Sequence, residues 1–153
     1  MSRTSAVLFG GLTVAVLDIT DAFVFFGIRS GATPAGILKG IARGLIGKAA
    51  STGSTGTVIL GALCHLTVAT TIVLVYNVAS TRLTFLARQP FLYGPMYGVL
   101  AFIVMNRVVI PLSAIGAAPK LVLPVVLNGL FIHIVGVGIP AALFARASAQ
   151  PDR

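Results

Sequence analysis

Two acidic residues, Asp18 and Asp21, lie inside an apolar run that extends from Ala6 to Ile28. Because they are three positions apart, a helix places both carboxylates on the same face. An unpaired charge inside a membrane costs about 2.5–3.5 kcal/mol. Carboxylates in such a run therefore exchange protons, bind a cation or pair with a basic side chain.

Further polar residues interrupt the other apolar runs at similar distances from one end. With a rise of about 1.5 Å per residue, each of four separate runs places a polar residue about 10–12 Å from that end. The sequence therefore predicts an intramembrane polar layer made of Asp18, Asp21, His65, Asn106, Arg107, Asn128 and His133.

Arg107 is the only cation at this depth of the apolar runs. Three unpaired charges would cost on the order of 8–10 kcal/mol, which is comparable to the whole stability of a small protein. We therefore expect Arg107 to pair with Asp18, with Asp21 or with both. Such a pair would bring the first and third apolar segments into contact.

The polar layer has two interpretations. In the first, Asp18, Asp21 and Arg107 form a structural ion pair that holds the helices in register. In the second, they move ions or protons or bind a ligand, because ionisable groups within a membrane are functional candidates. His65 and His133 are interpreted as hydrogen-bonded interior side chains, as a proton relay beside the carboxylates, or as ligands of haem or a divalent metal.

The chain contains none of the common catalytic or metal-binding motifs. There is no serine nucleophile elbow, zinc-protease motif, phosphate-binding loop or CxxCH sequence. We therefore expect no catalytic residues, no metal site and no cofactor, with haem or a divalent metal at His65 and His133 as the minor alternative. An enzymatic activity is not expected.

The composition indicates an integral membrane protein. Of the 153 residues, 57% are hydrophobic and only 9% are charged, against roughly 25% charged in soluble domains. The net charge is +8, but the Lys and Arg residues are scattered between apolar runs and form no single stripe. Basic residues placed in this way typically meet anionic lipid headgroups, so nucleic-acid binding is not expected.

Four apolar segments, at about residues 6–28, 57–79, 94–115 and 121–145, reach the length of about 20 residues that a membrane-spanning helix needs. The sequence therefore predicts an all-α membrane protein in which four transmembrane helices form a bundle, with residues 1–153 as one membrane domain. Lys and Arg are balanced between the two sides, so the positive-inside rule gives no orientation of the termini.

A basic amphipathic segment, at about residues 34–50, lies between the first and second spans. Ile37, Ile41 and Leu45 belong to its apolar half, and its charged half carries Lys39, Arg43 and Lys48. A helix of this length and charge is typical of one lying in the membrane interface. We expect Lys39, Arg43 and Lys48 to contact lipid headgroups.

Several stretches of the sequence resemble a group of small bacterial four-helix membrane proteins without an assigned biochemical activity. The stretches are LDITDAF, GILKGIARGLIGKAA, LGALCH, YGVLAFIVMNRVVIPLSA and FIHIVGVGIPAALFARA. The resemblance runs in order through nearly the whole chain. It implies the fold and a location in the bacterial inner membrane, but no catalytic residues.

Two functions are compatible with these features. The first hypothesis is an accessory or scaffolding subunit that joins a larger membrane complex through its helices. Its partners would be membrane lipids and either helices of other membrane proteins or further copies of itself. The alternative is a small proton- or ion-coupled transporter or channel that uses the Asp, His and Arg residues of the polar layer.

Overall fold

The computed structural model describes residues 1–120 and 122–149, and within these ranges the chain is helical without strands. In chain order the helices are α1 (Arg3–Ser30), α2 (Pro34–Ile46), α3 (Thr55–Arg82), α4 (Thr84–Arg88), α5 (Pro90–Leu112) and α6 (Leu123–Ala149). Helices α1, α3, α5 and α6 are long and apolar enough to cross a membrane. The prediction of an all-α chain with four such helices is confirmed.

The helix ends differ by several residues from the segments chosen by hydropathy. Helix α1 continues to Ser30 and α3 to Arg82, because polar residues at helix ends remain helical outside the apolar run. Helix α5 ends at Leu112. The predicted fourth span begins at Leu121, which lies outside the described residues, as do residues 150–153 of the predicted domain.

Local signals fix the connection between α1 and α2. Gly31 ends α1 in a left-handed conformation with φ 68°, which glycine adopts without a steric penalty. Thr33 then caps α2 by accepting a hydrogen bond from the Gly36 backbone N–H, and Pro34 occupies the first helical turn. After α2, residues Gly47–Thr52 form a 3₁₀ helix that leads to α3.

Helix α1 packs against both α3 and α6, α3 also contacts α6, and α5 packs mainly along α6. The core between these helices is small and dominated by alanine and valine. It contains Val14, Ala15, Ala69, Val73, Tyr76, Val137, Ala141, Ala142 and Ala145. Small side chains allow close contact between helices, which is how helices associate where the surrounding lipid is as apolar as the core.

Helix α2 lies against the first part of α3. Gly61 of α3 permits this contact, because a Cβ atom at that position would overlap the carbonyl of Leu38. At the far end of α2, the Ala114 N–H donates to the Gly44 carbonyl at 2.9 Å, which ties the segment after α5 to α2. Helix α2 therefore bridges the ends of α1, α3 and α5 on one side of the molecule.

Helices α5 and α6 each contain a π-helical segment, Met105–Val109 in α5 and His133–Gly138 in α6. A proline, Pro111 or Pro140, follows each segment within two residues. Proline lacks a backbone N–H and clashes with the carbonyl four residues earlier, so the regular α-helical hydrogen bonds cannot continue through these turns. Such π segments often occur at functional sites.

Candidate functional site

A central cavity of about 360 Å³ lies between the four long helices and α2. Aliphatic and aromatic side chains form most of its wall, and α2 contributes Ile37 and Ile41. The polar side chains that line it are Asp18, Asp21, His65, Asn106, Asn128 and His133. The cavity therefore collects polar residues from α1, α3, α5 and α6 inside an otherwise apolar space.

The carboxylate of Asp18 lies between two histidines of two other helices. Its Oδ2 atom is 3.9 Å from Nε2 of His65, and its Oδ1 atom is 3.9 Å from Nδ1 of His133. These distances are too long for direct hydrogen bonds, but they are short enough for strong charge interaction when a histidine is protonated. The side chain of Asp18 is 26% exposed, so space remains next to it.

Backbone carbonyls fix the orientation of both imidazole rings. His65 Nε2 lies 2.9 Å from the Ala15 carbonyl, and His133 Nδ1 lies 2.9 Å from the Gly129 carbonyl. A carbonyl oxygen only accepts hydrogen bonds, so each of these ring nitrogens carries a hydrogen and donates it. In the neutral rings the remaining nitrogens, Nδ1 of His65 and Nε2 of His133, are then available to accept a proton.

Asp21 has a different environment from that of Asp18. Its Oδ2 atom accepts a hydrogen bond of 2.6 Å from Nδ2 of Asn128. The same two residues also line a second, more open pocket together with Val24, Phe25, Ile28 and Arg29 near the end of α1. The Asp21–Asn128 pair therefore lies between the central cavity and a pocket that leads towards the α1–α2 connection.

Asn106 lines the cavity, and its side chain hydrogen-bonds to the backbone of its own helix. Its Nδ2 atom donates to the carbonyl of Phe102 at 2.8 Å, one turn earlier in α5. The ring of Phe102 meets the His133 imidazole edge-to-face, with ring centres 5.5 Å apart. Asn106 and Phe102 thus form the α5 side of the wall that faces His133.

Arg107 does not form the predicted ion pair. Its side chain is exposed and does not line the cavity, and in the part of the chain that the structure describes it pairs with neither Asp18 nor Asp21. Because α5 ends at Leu112, Arg107 lies only about 8 Å from the helix end. A long basic side chain at that depth can extend to the membrane surface, so it needs no buried partner.

Replacing Arg107 by Gln should therefore change the free energy of unfolding by no more than about 0.5 kcal/mol, as at other exposed positions. Removing one partner of a buried ion pair would instead cost about 3–5 kcal/mol. Thermal unfolding of the wild-type and variant proteins in the same detergent separates the two cases. A large loss of stability in the variant would instead support an ion pair between Arg107 and a carboxylate.

The three residues that are predicted to contact lipid headgroups lie on α2 or just after it. Lys39 is partly buried, whereas Arg43 and Lys48 are exposed. Their contact with lipid stays a prediction. Within residues 1–120 and 122–149, no group of three His, Cys, Asp or Glu side chains is arranged to hold a metal ion.

Sequence reasoning missed several residues of the cavity wall. Ile37 and Ile41 of α2 and the aromatic rings of Phe26 and Phe102 line the cavity beside the polar residues. The spacing of apolar residues predicts the apolar half of α2, but it does not predict which helices this half packs against. Comparison of the chain with known protein families, with curated proteins and with solved structures gives no match.

Proposed function

We propose that this protein is a small proton-coupled membrane transporter in which Asp18, flanked by His65 and His133, takes up and releases the proton. The observation that carries the proposal is the position of the Asp18 carboxylate, 3.9 Å from a nitrogen of each imidazole and open to a cavity between four apolar helices. The proposal includes a four-helix bundle in the bacterial inner membrane, with α2 at the interface.

The charge balance of the cavity supports a proton-binding role. Two carboxylates line the cavity, and among residues 1–120 and 122–149 no Lys or Arg side chain lines it. Without a basic partner, a carboxylate in an apolar environment is stabilised by binding a proton or a cation. The exposed position of Arg107 weakens the structural interpretation of the polar layer, because that interpretation relied on an ion pair.

Two side chains suit the movement of a proton along the cavity. Each histidine turns its hydrogen-carrying nitrogen towards Asp18, so a protonated Asp18 can pass its proton to the free nitrogen of a neighbouring histidine only through a water. Asp21 connects the cavity to the pocket beside Arg29, since it lines both spaces. This arrangement offers a route between Asp18 and one surface of the membrane.

Proton uptake into vesicles tests this proposal. Wild-type protein is reconstituted into liposomes that contain a pH-sensitive dye, and a potassium diffusion potential drives protons inward. We expect acidification well above that of protein-free liposomes, because under this proposal Asp18 binds a proton from one side of the membrane and releases it to the other. Uptake that equals the protein-free rate across several lipid compositions would contradict the proposal.

The accessory or scaffolding role remains the second proposal. The large apolar side chains on the outer faces of the helices, such as Leu8, Leu12, Phe91 and Leu127, suit a partner helix and lipid tails equally well. Purification in a mild detergent distinguishes the two roles. A fixed partner at defined stoichiometry, together with absent proton uptake, would support the accessory role.

A further inference from the structure

The cavity has the features of a binding site for an apolar cation. Its volume of about 360 Å³ falls within the range of small-molecule sites, which is about 300–1,000 Å³. The two carboxylates give it a negative charge in their ionised state, and the rings of Phe26 and Phe102 lie in the same wall. Aromatic rings attract cations through their faces, and the aliphatic side chains favour an apolar body.

A groove between α3 and α5 leads from the lipid-facing surface towards this cavity. It is lined by Thr67, Val68, Thr71, Ile72, Val75, Tyr97, Leu100, Ala101, Val104, Met105 and Val109. Val68, Ile72 and Met105 line both the groove and the cavity, so these side chains form the partition between them. Met105 is an unbranched, adaptable side chain, and it begins the π-helical segment of α5.

The aqueous ends of the molecule are less suitable for the entry of a cation. Helix α2 covers one end of the cavity with Ile37 and Ile41, and Arg29 lines the pocket beside Asp21. The whole chain carries a net charge of +8, which repels cations in the surrounding water. A solute that first dissolves in the bilayer avoids both obstacles.

From these observations we infer that the substrate is an apolar organic monocation, an alkylammonium ion that carries an aromatic ring, and that it enters from the bilayer between α3 and α5. The ammonium group faces the Asp18 and Asp21 carboxylates, and the apolar body lies against the aliphatic and aromatic wall. This inference rests on the proposed function, because binding of the cation and of the proton to the same carboxylate would couple their movements.

A set of matched fluorescent probes tests the substrate class. Trimethyl(naphthylmethyl)ammonium keeps its positive charge at every pH. Neopentylnaphthalene, in which a carbon atom replaces the nitrogen, has the same shape without the charge. Naphthoate is an anion of similar size. Full-length protein is placed in nanodiscs of phosphatidylglycerol, a lipid without an ammonium group. We expect the cation to bind at least about tenfold more tightly than the neutral analogue and naphthoate not to bind.

The pH dependence identifies the group responsible. Binding of the permanent cation should weaken as the pH is lowered, because protons and the cation compete for the site formed by Asp18, Asp21, His65 and His133. In weakly buffered solution the wild-type protein should release protons as the cation binds. Asp18→Asn should weaken cation binding by at least about tenfold and abolish most of the proton release, while binding of the neutral analogue changes little.

A second variant tests the route of entry. Thr71 lines the groove but not the cavity, so Thr71→Phe narrows the groove without altering the binding site. We expect slower association and dissociation of the cation with a similar dissociation constant. Unchanged rates would exclude entry between α3 and α5.

The outcomes separate failure of this inference from failure of the proposed function. Equal binding of the cation and its neutral analogue, combined with proton uptake that depends on Asp18, would overturn the substrate class and keep the proton role. Cation binding that is the same in wild-type protein and in Asp18→Asn would overturn the substrate inference as stated. Competition by added phosphatidylethanolamine would overturn the aromatic monocation class, because it would show that the ammonium group of a zwitterionic lipid headgroup occupies the same site.

Discussion

Replacing Asp18 by Asn should reduce proton uptake into vesicles to the rate of protein-free vesicles. Asparagine has nearly the same shape as aspartate, but it does not gain and lose a proton in the accessible pH range. Asp18 is the carboxylate that both His65 and His133 approach, each at 3.9 Å. Asp21 lines the same cavity, but its carboxylate accepts a hydrogen bond from Asn128, so we expect that it does not replace Asp18 in the transfer of the proton.

Two matched variants sharpen this result. Asp18→Glu keeps the carboxylate on a longer side chain, so a measurable part of the proton uptake should remain. Asp21→Asn should lower the rate without abolishing it, because an amide at position 21 can still hydrogen-bond to Asn128. If Asp18→Asn and Asp18→Glu lost the same amount of proton uptake, the shape of the side chain would be responsible for the loss. The ability of the side chain to bind a proton would then not be required.

The thermal stability of Asp18→Asn provides an independent check. Removal of a charge from an apolar environment should leave the protein at least as stable as the wild type. A structural ion pair would show the opposite, since removal of one partner costs about 3–5 kcal/mol. Lost proton uptake at unchanged stability would therefore favour the functional interpretation, and a large loss of stability would contradict it.

Counting residues along each apolar run was sufficient to select the polar residues of the cavity. Depth within a helix depends only on the nearly constant rise per residue, so Asp18, Asp21, His65, Asn128 and His133 could be assigned to one region of the fold. Hydropathy similarly identified the four long helices. These features depend on local geometry, which the sequence reports directly.

The direction in which each side chain points was harder to predict. Arg107 and Asn106 are adjacent, but Asn106 lines the cavity and Arg107 is exposed. Both lie in the π-helical segment Met105–Val109, where the rotation per residue departs from that of a regular α-helix. The energetic argument also treated Arg107 as trapped at depth, whereas a long side chain near a helix end can reach the surface.

The contacts between helices were only partly visible in the sequence. Gly61, His65 and Ala69 are four residues apart and share one face of α3, and two of them are small enough to permit close packing. The pattern does not show which helix packs against each of them. In the structure Gly61 contacts α2, His65 contacts α1, and Ala69 belongs to the core shared with α1 and α6. Assigning such partners requires tertiary information that one helix pattern does not contain.

Gly98→Ala should destabilise the protein more than any other substitution discussed above. A Cβ atom at position 98 would overlap the carbonyl oxygen of His133 and lie 2.7 Å from the Cα atom of Ile134. These are backbone atoms that cannot rotate away, so α5 and α6 would have to separate. We expect a loss of about 1–3 kcal/mol or more, which corresponds to roughly 2–4 °C of the unfolding midpoint per kcal/mol.

Gly40→Ala is the matched control, because a Cβ atom at Gly40 has no neighbour within 4 Å. Because Gly40 lies within α2 and alanine favours a helix more than glycine does, Gly40→Ala should leave the free energy of unfolding unchanged or raise it by about 0.5–1 kcal/mol. Displacement of the His133 backbone would also change the position of its imidazole relative to Asp18, so Gly98→Ala should lower proton uptake in the fraction that still folds. Equal unfolding midpoints for the two variants would show that the α5–α6 contact is looser than the glycines at positions 94, 98 and 138 indicate.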